Sequence, residues 1–234
     1  MLPSILRSGV LATSVAAALI CVPAQAYAEQ DPWEGFNRSV FSFNETIDRY
    51  ALKPAAQGYR YVTPDIAEQG VSNFFDNIAD VGNVFNNLFQ LKFDAAGKSF
   101  SRVAFNSTFG LVGLIDVATP MGIGPHNEDF GQTLGYWGVG SGPYIVLPFF
   151  GPSTVRDGLS KPADWAMDPI SEVGHVATRN SLYGLRLLDV RARLLQAEQI
   201  ISGDKYSFTR DAYLQRREYL INDGVVDVQY DSDF

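Results

Sequence analysis

Cysteine is all but missing. The one cysteine, Cys21, lies within the first 28 residues, so the chain beyond them has no thiol, no disulfide and no cysteine metal site. Histidine is nearly as scarce, with His126 and His175 alone. His126 stands in PHNED beside Glu128 and Asp129, and one imidazole with two adjacent acids falls short of the usual three or four metal ligands. Charge is thin as well: 19% of residues, against roughly 25% in ordinary soluble domains. The net charge of −8 argues against a nucleic-acid partner. Past the first 28 residues, no window reaches the ~18 uninterrupted apolar residues of a spanning helix, which leaves an interfacial amphipathic one open.

Catalytic signatures are also absent. GVGSGP at residues 138–143 fails the nucleophile-elbow pattern, because Val139 and Pro143 stand where glycines belong around Ser141. It fails the dinucleotide pattern at Pro143. No Walker loop is present, and no base is placed beside a nucleophile. The reading is a non-enzyme without cofactor or metal.

What is there is apolar and aromatic. Hydrophobic residues make up 46% of 234, with 16 Phe and 11 Tyr, enough for one domain whose surface partly faces something other than water. Residues 1–28 read as a secretory leader: Arg7 for charge, an apolar core over 11–22, Pro23 as breaker and AQAYA as cleavage site. Cleavage after Ala28 is favoured over Ala26, and an uncleaved anchor is the alternative. Residues 29–222 form the domain, and 223–234 an acidic tail that frays.

Helix signals dominate. Asp31, Pro32 and Glu34 read as N-cap, first and third helical positions. Phe36, Val40, Phe43, Ile47 and Tyr50 then form one stripe, with Phe41 outside it. Thr63-Pro64 reads as a second cap, followed by a stripe of Val71, Phe74, Phe75, Ile78, Phe85, Leu88 and Phe89. Gly82 is expected to break this segment in two. The other side carries Asn73, Asn77, Asn83, Asn86 and Asn87, poor helix formers that serve either turns and caps or a polar face along a wet, uncharged path. Further helices are expected over 93–109, 178–201 and 204–222, a short turn over 115–121, and an extended piece at 144–147. Between residues 179 and 217, eight Lys and Arg face four acids, a solvated helix face or a contact for anionic headgroups. Arg156-Asp157 reads either as an internal ion pair or a helix-start charge, or as a guanidinium for a phosphate.

DPWEGFNRSVFSFN, GVSNFFDN, NSTFGLVGLIDVA, EDFGQTLGYWGVGSGPYIVLPFFGPSTVRD and RDAYLQRREYL together resemble the MlaA/VacJ family over roughly residues 31–222. The resemblance implies an all-α fold: short amphipathic helices in a flattened ring with a central amphipathic channel, embedded in one leaflet of the outer membrane. It implies retrieval of mislocalised phospholipid from the outer leaflet, transfer to a periplasmic lipid-carrier protein, and association with trimeric porins. A porin-associated scaffold without transport and a lipid hydrolase are the alternatives. Family members are commonly acylated on cysteine; here Ile20 before Cys21 fits that poorly, so a cleaved, unlipidated chain is expected. Pro143, Pro148 and Pro152 forbid one continuous helix, and glycines 135, 138, 140 and 142 permit close approach or positive φ. The lipid-path or ring-wall candidates are Asn37, Phe43, Asn44, Asn73, Phe74, Asn77, Asn106, Phe130, Gly138, Gly140, Gly142, Tyr144, Leu147 and Arg156.

Overall fold

A computed structural model describes residues 31–196, 198 and 203–225. The leader, its cleavage site, Cys21 and the tail beyond Val225 lie outside the described residues. Helix α1 (Glu34–Ile47) passes through a π-helical turn (Asp48–Leu52) into α2 (Lys53–Val62). The long α3 (Asp65–Phe89) follows, then α4 (Phe93–Thr108), a 3₁₀ turn (Thr119–Met121) and α5 (Phe130–Tyr136). Strands β1 (Tyr144–Leu147) and β2 (Gly151–Thr154) form an antiparallel hairpin that pairs Tyr144 with Thr154 and Leu147 with Gly151. Helix α6 (Val155–Met167), a 3₁₀ turn (Pro169–Glu172), α7 (Val176–Leu194) and α8 (Lys205–Ile221) complete the order. The helical expectation holds, with one hairpin added to it.

Three local expectations are corrected. Asp31 does not cap α1: Trp33 holds that position without a side-chain bond, because the Asp31 carboxylate accepts from Asn37 Nδ2 at 2.8 Å and from the Tyr206 hydroxyl. Thr63 closes α2, and Pro64 is the N-cap of α3. Gly82 does not break α3. A helical glycine costs about 1 kcal/mol, too little to interrupt a helix that runs 25 residues and packs along α4. The extended piece at 144–147 is β1. Its partner β2 opens with Gly151-Pro152, which reads as a turn in the sequence. The helix-start reading of Arg156-Asp157 falls on the first turn of α6, whose full length was not expected; Thr154 starts it by accepting from Asp157 N at 3.2 Å.

Element contacts close a circuit: α1 to β1, β1 to β2, β2 to α8, α8 to α5, α5 to α3, α3 to α7, α7 to α2, and α2 through the π turn to α1. What the circuit hides and what it shows are inverted relative to a water-soluble domain. Among the described residues, 10 hydrophobic side chains are buried against 19 polar or charged ones, while 33 large hydrophobics are exposed. The α1 stripe faces outward, with Phe36, Phe43 and Tyr50 exposed. The residue outside the stripe, Phe41, packs inward with its ring 5.5 Å from Tyr206, beside buried Tyr144 and Val146.

Buried polar groups need partners, and the amides supply them. Asn37 donates to Tyr144 O at 3.1 Å and accepts from Val146 N at 2.9 Å. Two helical turns on, Asn44 donates to Leu147 O at 3.0 Å and accepts from Phe149 N at 2.9 Å. Together they cover the open edge of β1 as a further strand would. Asn106 holds the loop after α4: its Oδ1 accepts from Val117 N and Ala118 N at 2.9 and 3.0 Å. Arg102, buried beneath, bonds Asp80 at 2.8 Å and the Ile123 carbonyl at 2.9 Å. Within that loop Leu111 and Val112 adopt φ of 52° and 59°, a conformation costing about 1–3 kcal/mol per residue that surrounding contacts must hold. Both side chains are exposed.

Candidate functional site

Helices α3, α6 and α7 line an open cavity of about 480 Å³. Helix α7 contributes Tyr183, Arg186, Leu187 and Val190, spaced 3, 1 and 3 residues apart as one helical face requires. Helix α3 contributes Ile78, Ala79, Gly82, Asn83 and Asn86. A Cβ at Gly82 would meet nothing within 4 Å. Phe150 and Trp165 stand at the wall with centroids 5.8 Å apart. Glu128, Asp129, Asp164 and Asp168 supply the acidic part of the lining.

Most of those acids are compensated. Glu128 accepts from Gln90 at 2.9 Å and from Lys92 at 3.2 Å, and its backbone N–H donates to Asn83 Oδ1 at 2.9 Å. Burial nevertheless pushes its carboxyl above the ordinary value. Asp168 accepts from Arg186 Nη1 at 2.8 Å. Asp129 caps α5 through Gln132 N at 2.7 Å and takes two bonds from Arg217. Asp164 takes only the Phe130 N–H, at 2.7 Å, and burial pushes its carboxyl up to about 6. It remains mostly ionised at neutral pH.

Behind the cavity lies an ionic knot. Arg217 Nη2 bonds Asp129 at 2.9 Å and Asp157 at 3.0 Å. Arg156 Nε donates to Asp157 at 3.0 Å and its Nη1 to Val139 O at 3.1 Å. Tyr213 closes the knot on Asp157 Oδ2 at 2.7 Å. Burial opposes ionisation of Asp129, but the Arg217 bonds outweigh it and hold the carboxyl below its usual range. Arg156 is therefore an internal partner, buried to 7% exposure, and the geometry does not present it to a phosphate. Gly131 and Gly135 make room for the knot. A Cβ at Gly131 would stand 2.5 Å from Asp157 Oδ1, and one at Gly135 2.9 Å from Arg156 Nη1.

None of the lipid-path or ring-wall candidates lines this cavity. Asn37, Asn44 and Asn106 are the clamps already described, and Tyr144 and Leu147 belong to the clamped strand. Asn73 donates to Leu114 O at 3.1 Å and Asn77 to Ser107 Oγ at 3.0 Å, tying α3 to α4 and its loop. Phe43 packs on Phe149 at 5.5 Å, Phe74 on Phe75 at 5.3 Å, and Phe130 on Phe89 at 6.3 Å. Gly138 and Gly142 hold φ of 85° and 65°, whereas Gly140 lies in open space. The amides that do line the cavity, Asn83 and Asn86, belong to the polar face of α3. The basic bias between 179 and 217 is mostly spent internally, since Arg186, Arg191, Arg193, Lys205, Arg210 and Arg217 all sit in ion pairs. The cavity face of α7 was legible as a stripe at 183, 186, 187 and 190; Asp164 and Trp165 carried no pattern of their own.

Among the described residues no helix is long and apolar enough to cross a membrane. The family model described as MlaA lipoprotein matches residues 29–220. The Escherichia coli K12 protein named intermembrane phospholipid transport system lipoprotein MlaA is 35% identical over 207 residues, 83% of this chain and 79% of that one. Its namesake from Haemophilus influenzae is 33% identical over 207 residues, covering 86% and 82%. An uncharacterised protein of Rickettsia bellii is 34% identical over 209 residues, covering 87% and 79%. A solved structure, reported as the structural basis for maintenance of bacterial outer membrane lipid asymmetry, matches with a TM-score of 0.72 and 33% identity over 82% of this chain and 100% of that one. These relatives are named for transport and not for catalysis, in line with the non-enzyme reading. The family's description as lipoprotein does not bear out the expectation of an unlipidated chain. By motif, by sequence and by fold, the chain belongs to the MlaA lipoprotein family.

Proposed function

We propose that this protein takes mislocalised phospholipid from the outer leaflet of the outer membrane and hands it to a soluble periplasmic carrier. It does so as a helical ring seated in the periplasm-facing leaflet, beside a trimeric porin. The observation that carries this reading is an amphipathic cavity lined by α3, α6 and α7 in a fold that exposes much of its apolar surface. A lipid needs apolar walls for its acyl chains and polar groups for its headgroup, and an exposed apolar belt is stable only against other apolar matter. The cavity meets the first need with Ile78, Phe150, Trp165, Leu187 and Val190, and the second with Asn83, Asn86, Asp164 and Arg186. The relatives' names and the solved structure's subject point to the same process.

The test plugs the path. Gly82→Phe projects a ring into open space, so the fold survives while the cavity fills. With the purified protein in liposomes and a periplasmic carrier outside, wild type delivers labelled phospholipid to the carrier and Gly82→Phe does not. Equal delivery by the two proteins would remove the cavity from the path. No delivery by wild type would leave the scaffold reading.

A further inference from the structure

We infer that the cavity selects phospholipid whose headgroup carries a primary ammonium, with Asp164 as its counter-charge. The inference rests on the proposed transport reading and deepens it by naming the lipid class.

The argument is one of charge accounting inside a confined space. Four carboxylates line the cavity, and three have a cation of the protein: Glu128 has Lys92, Asp129 has Arg217 and Asp168 has Arg186. Asp164 is in no ion pair among the described residues: Lys161 and Arg217 act on it only from beyond bonding distance, and its one hydrogen bond is a backbone N–H on Oδ1. A carboxylate offers about four acceptor sites, so Oδ2 still has its capacity. Leaving a partly buried carboxylate without a directly bonded cation costs free energy that a ligand cation recovers. The neighbouring Trp165 ring adds a face that attracts cations.

The lining also holds a group that suits a phosphate. Arg186 spends Nη1 on Asp168 and is 31% exposed, and a guanidinium has five N–H donors. A zwitterion with phosphate toward Arg186 and ammonium toward Asp164 satisfies both groups. A headgroup that carries phosphate without ammonium would bring a second negative charge toward an unpaired carboxylate. Apolar side chains of α7, Leu187 and Val190, also line the cavity and would receive the start of the acyl chains.

The full-length protein in detergent is equilibrated with vesicles holding equal amounts of phosphatidylethanolamine and phosphatidylglycerol, and bound lipid is extracted and quantified by mass spectrometry. Wild type is expected to enrich phosphatidylethanolamine on the order of tenfold, the worth of one charge-assisted hydrogen bond. Asp164→Asn keeps an acceptor for Phe130 N and removes the charge, which brings the ratio toward one. A second arm needs no variant: N-acylated phosphatidylethanolamine, which has lost its ammonium, is not enriched by wild type. Equal or greater loading of phosphatidylglycerol, retained enrichment in Asp164→Asn, or enrichment of the N-acylated lipid overturns the inference and leaves the transport reading in place. Wild type that loads no phospholipid at all overturns the transport reading itself, and the inference with it.

Discussion

Replacing Arg217 with methionine tests the ionic knot most directly. Arg217 is 9% exposed, bonds Asp129 through both terminal nitrogens and reaches Asp157 at 3.0 Å. Methionine fills a similar volume and removes the charge. Asp157 then keeps Arg156 as its ion-pair partner, and Asp129 is left with its bond from Gln132 N. Breaking a buried pair from one side costs about 3–5 kcal/mol. At about 2–4 °C per kcal/mol for a chain of this size, the melting temperature in detergent should fall by roughly 6–20 °C, read by tryptophan fluorescence. The pH dependence follows from the sign of the Asp129 shift. In wild type that carboxyl is held below its unfolded value, so its contribution is present above the unfolded value and is lost as pH falls through the folded one. In the variant the Arg217 bonds that outweigh burial are gone and only those from Gln132 oppose it, so the carboxyl rises from its wild-type position. The penalty is then largest near neutral pH and shrinks as pH drops toward about 5, where protonation relieves the buried charge. The gap between the two proteins should therefore narrow on acidification. A melting temperature within about 2 °C of wild type, or a gap that does not change with pH, would refute this account.

Gly110→Ala should give no protease-resistant protein, since its Cβ would stand 2.0 Å from Ile115 O and 2.5 Å from Asn106 O, both backbone atoms. Gly97→Ala, in open space on α4, should raise stability by up to about 1 kcal/mol. Asn44→Leu strips Leu147 O and Phe149 N of their partner and should cost about 1–3 kcal/mol by thermal melting. Gly142→Val, at φ 65° and 3.2 Å from Val155 Cβ, should lower protein level in cells, while Gly140→Val should leave it unchanged. Ser141→Ala should retain outer-leaflet lipid asymmetry, scored by detergent sensitivity; its loss at normal protein abundance would restore the hydrolase reading.

Much of the fold was legible because helix periodicity is a local property. The stripes of α1 and α3 exist as spaced. What periodicity cannot report is the medium on either side of a stripe. Phe36 and Phe43 repeat as core residues would, yet they face out, and the Asn37–Phe41–Asn44 face is the inner one. The five asparagines of α3 were recognised as costly, but the reading divided them between caps and a wet path. Asn77 is a cross-helix tie, and only Asn83 and Asn86 reach the cavity. Asn37 and Asn44 act on a strand more than a hundred residues away, a distance no spacing encodes. The pairing of Arg156 with Asp157 was weighed as internal, and it is; the other half of that knot, Tyr213 and Arg217, is invisible until α8 is set beside α6. Asp164 was silent for a simpler reason: one of the two acids in KPADWAMDP acquires meaning only from the ion pair it does not make.

The inverted partition changes what it means for this chain to finish folding. For most proteins, exposed apolar surface marks a chain as incomplete, and its disappearance is the signal by which escort proteins let go. Here the native state displays that mark permanently, on rings such as Tyr61 and Phe109. An escort cannot distinguish finished from unfinished molecules by stickiness, and release depends on meeting an apolar host rather than on reaching the native structure. The same arrangement separates two properties that usually vary together. Since the interior is held by amides and ion pairs, replacing outward-facing rings with polar residues would yield a water-soluble protein with its internal architecture intact.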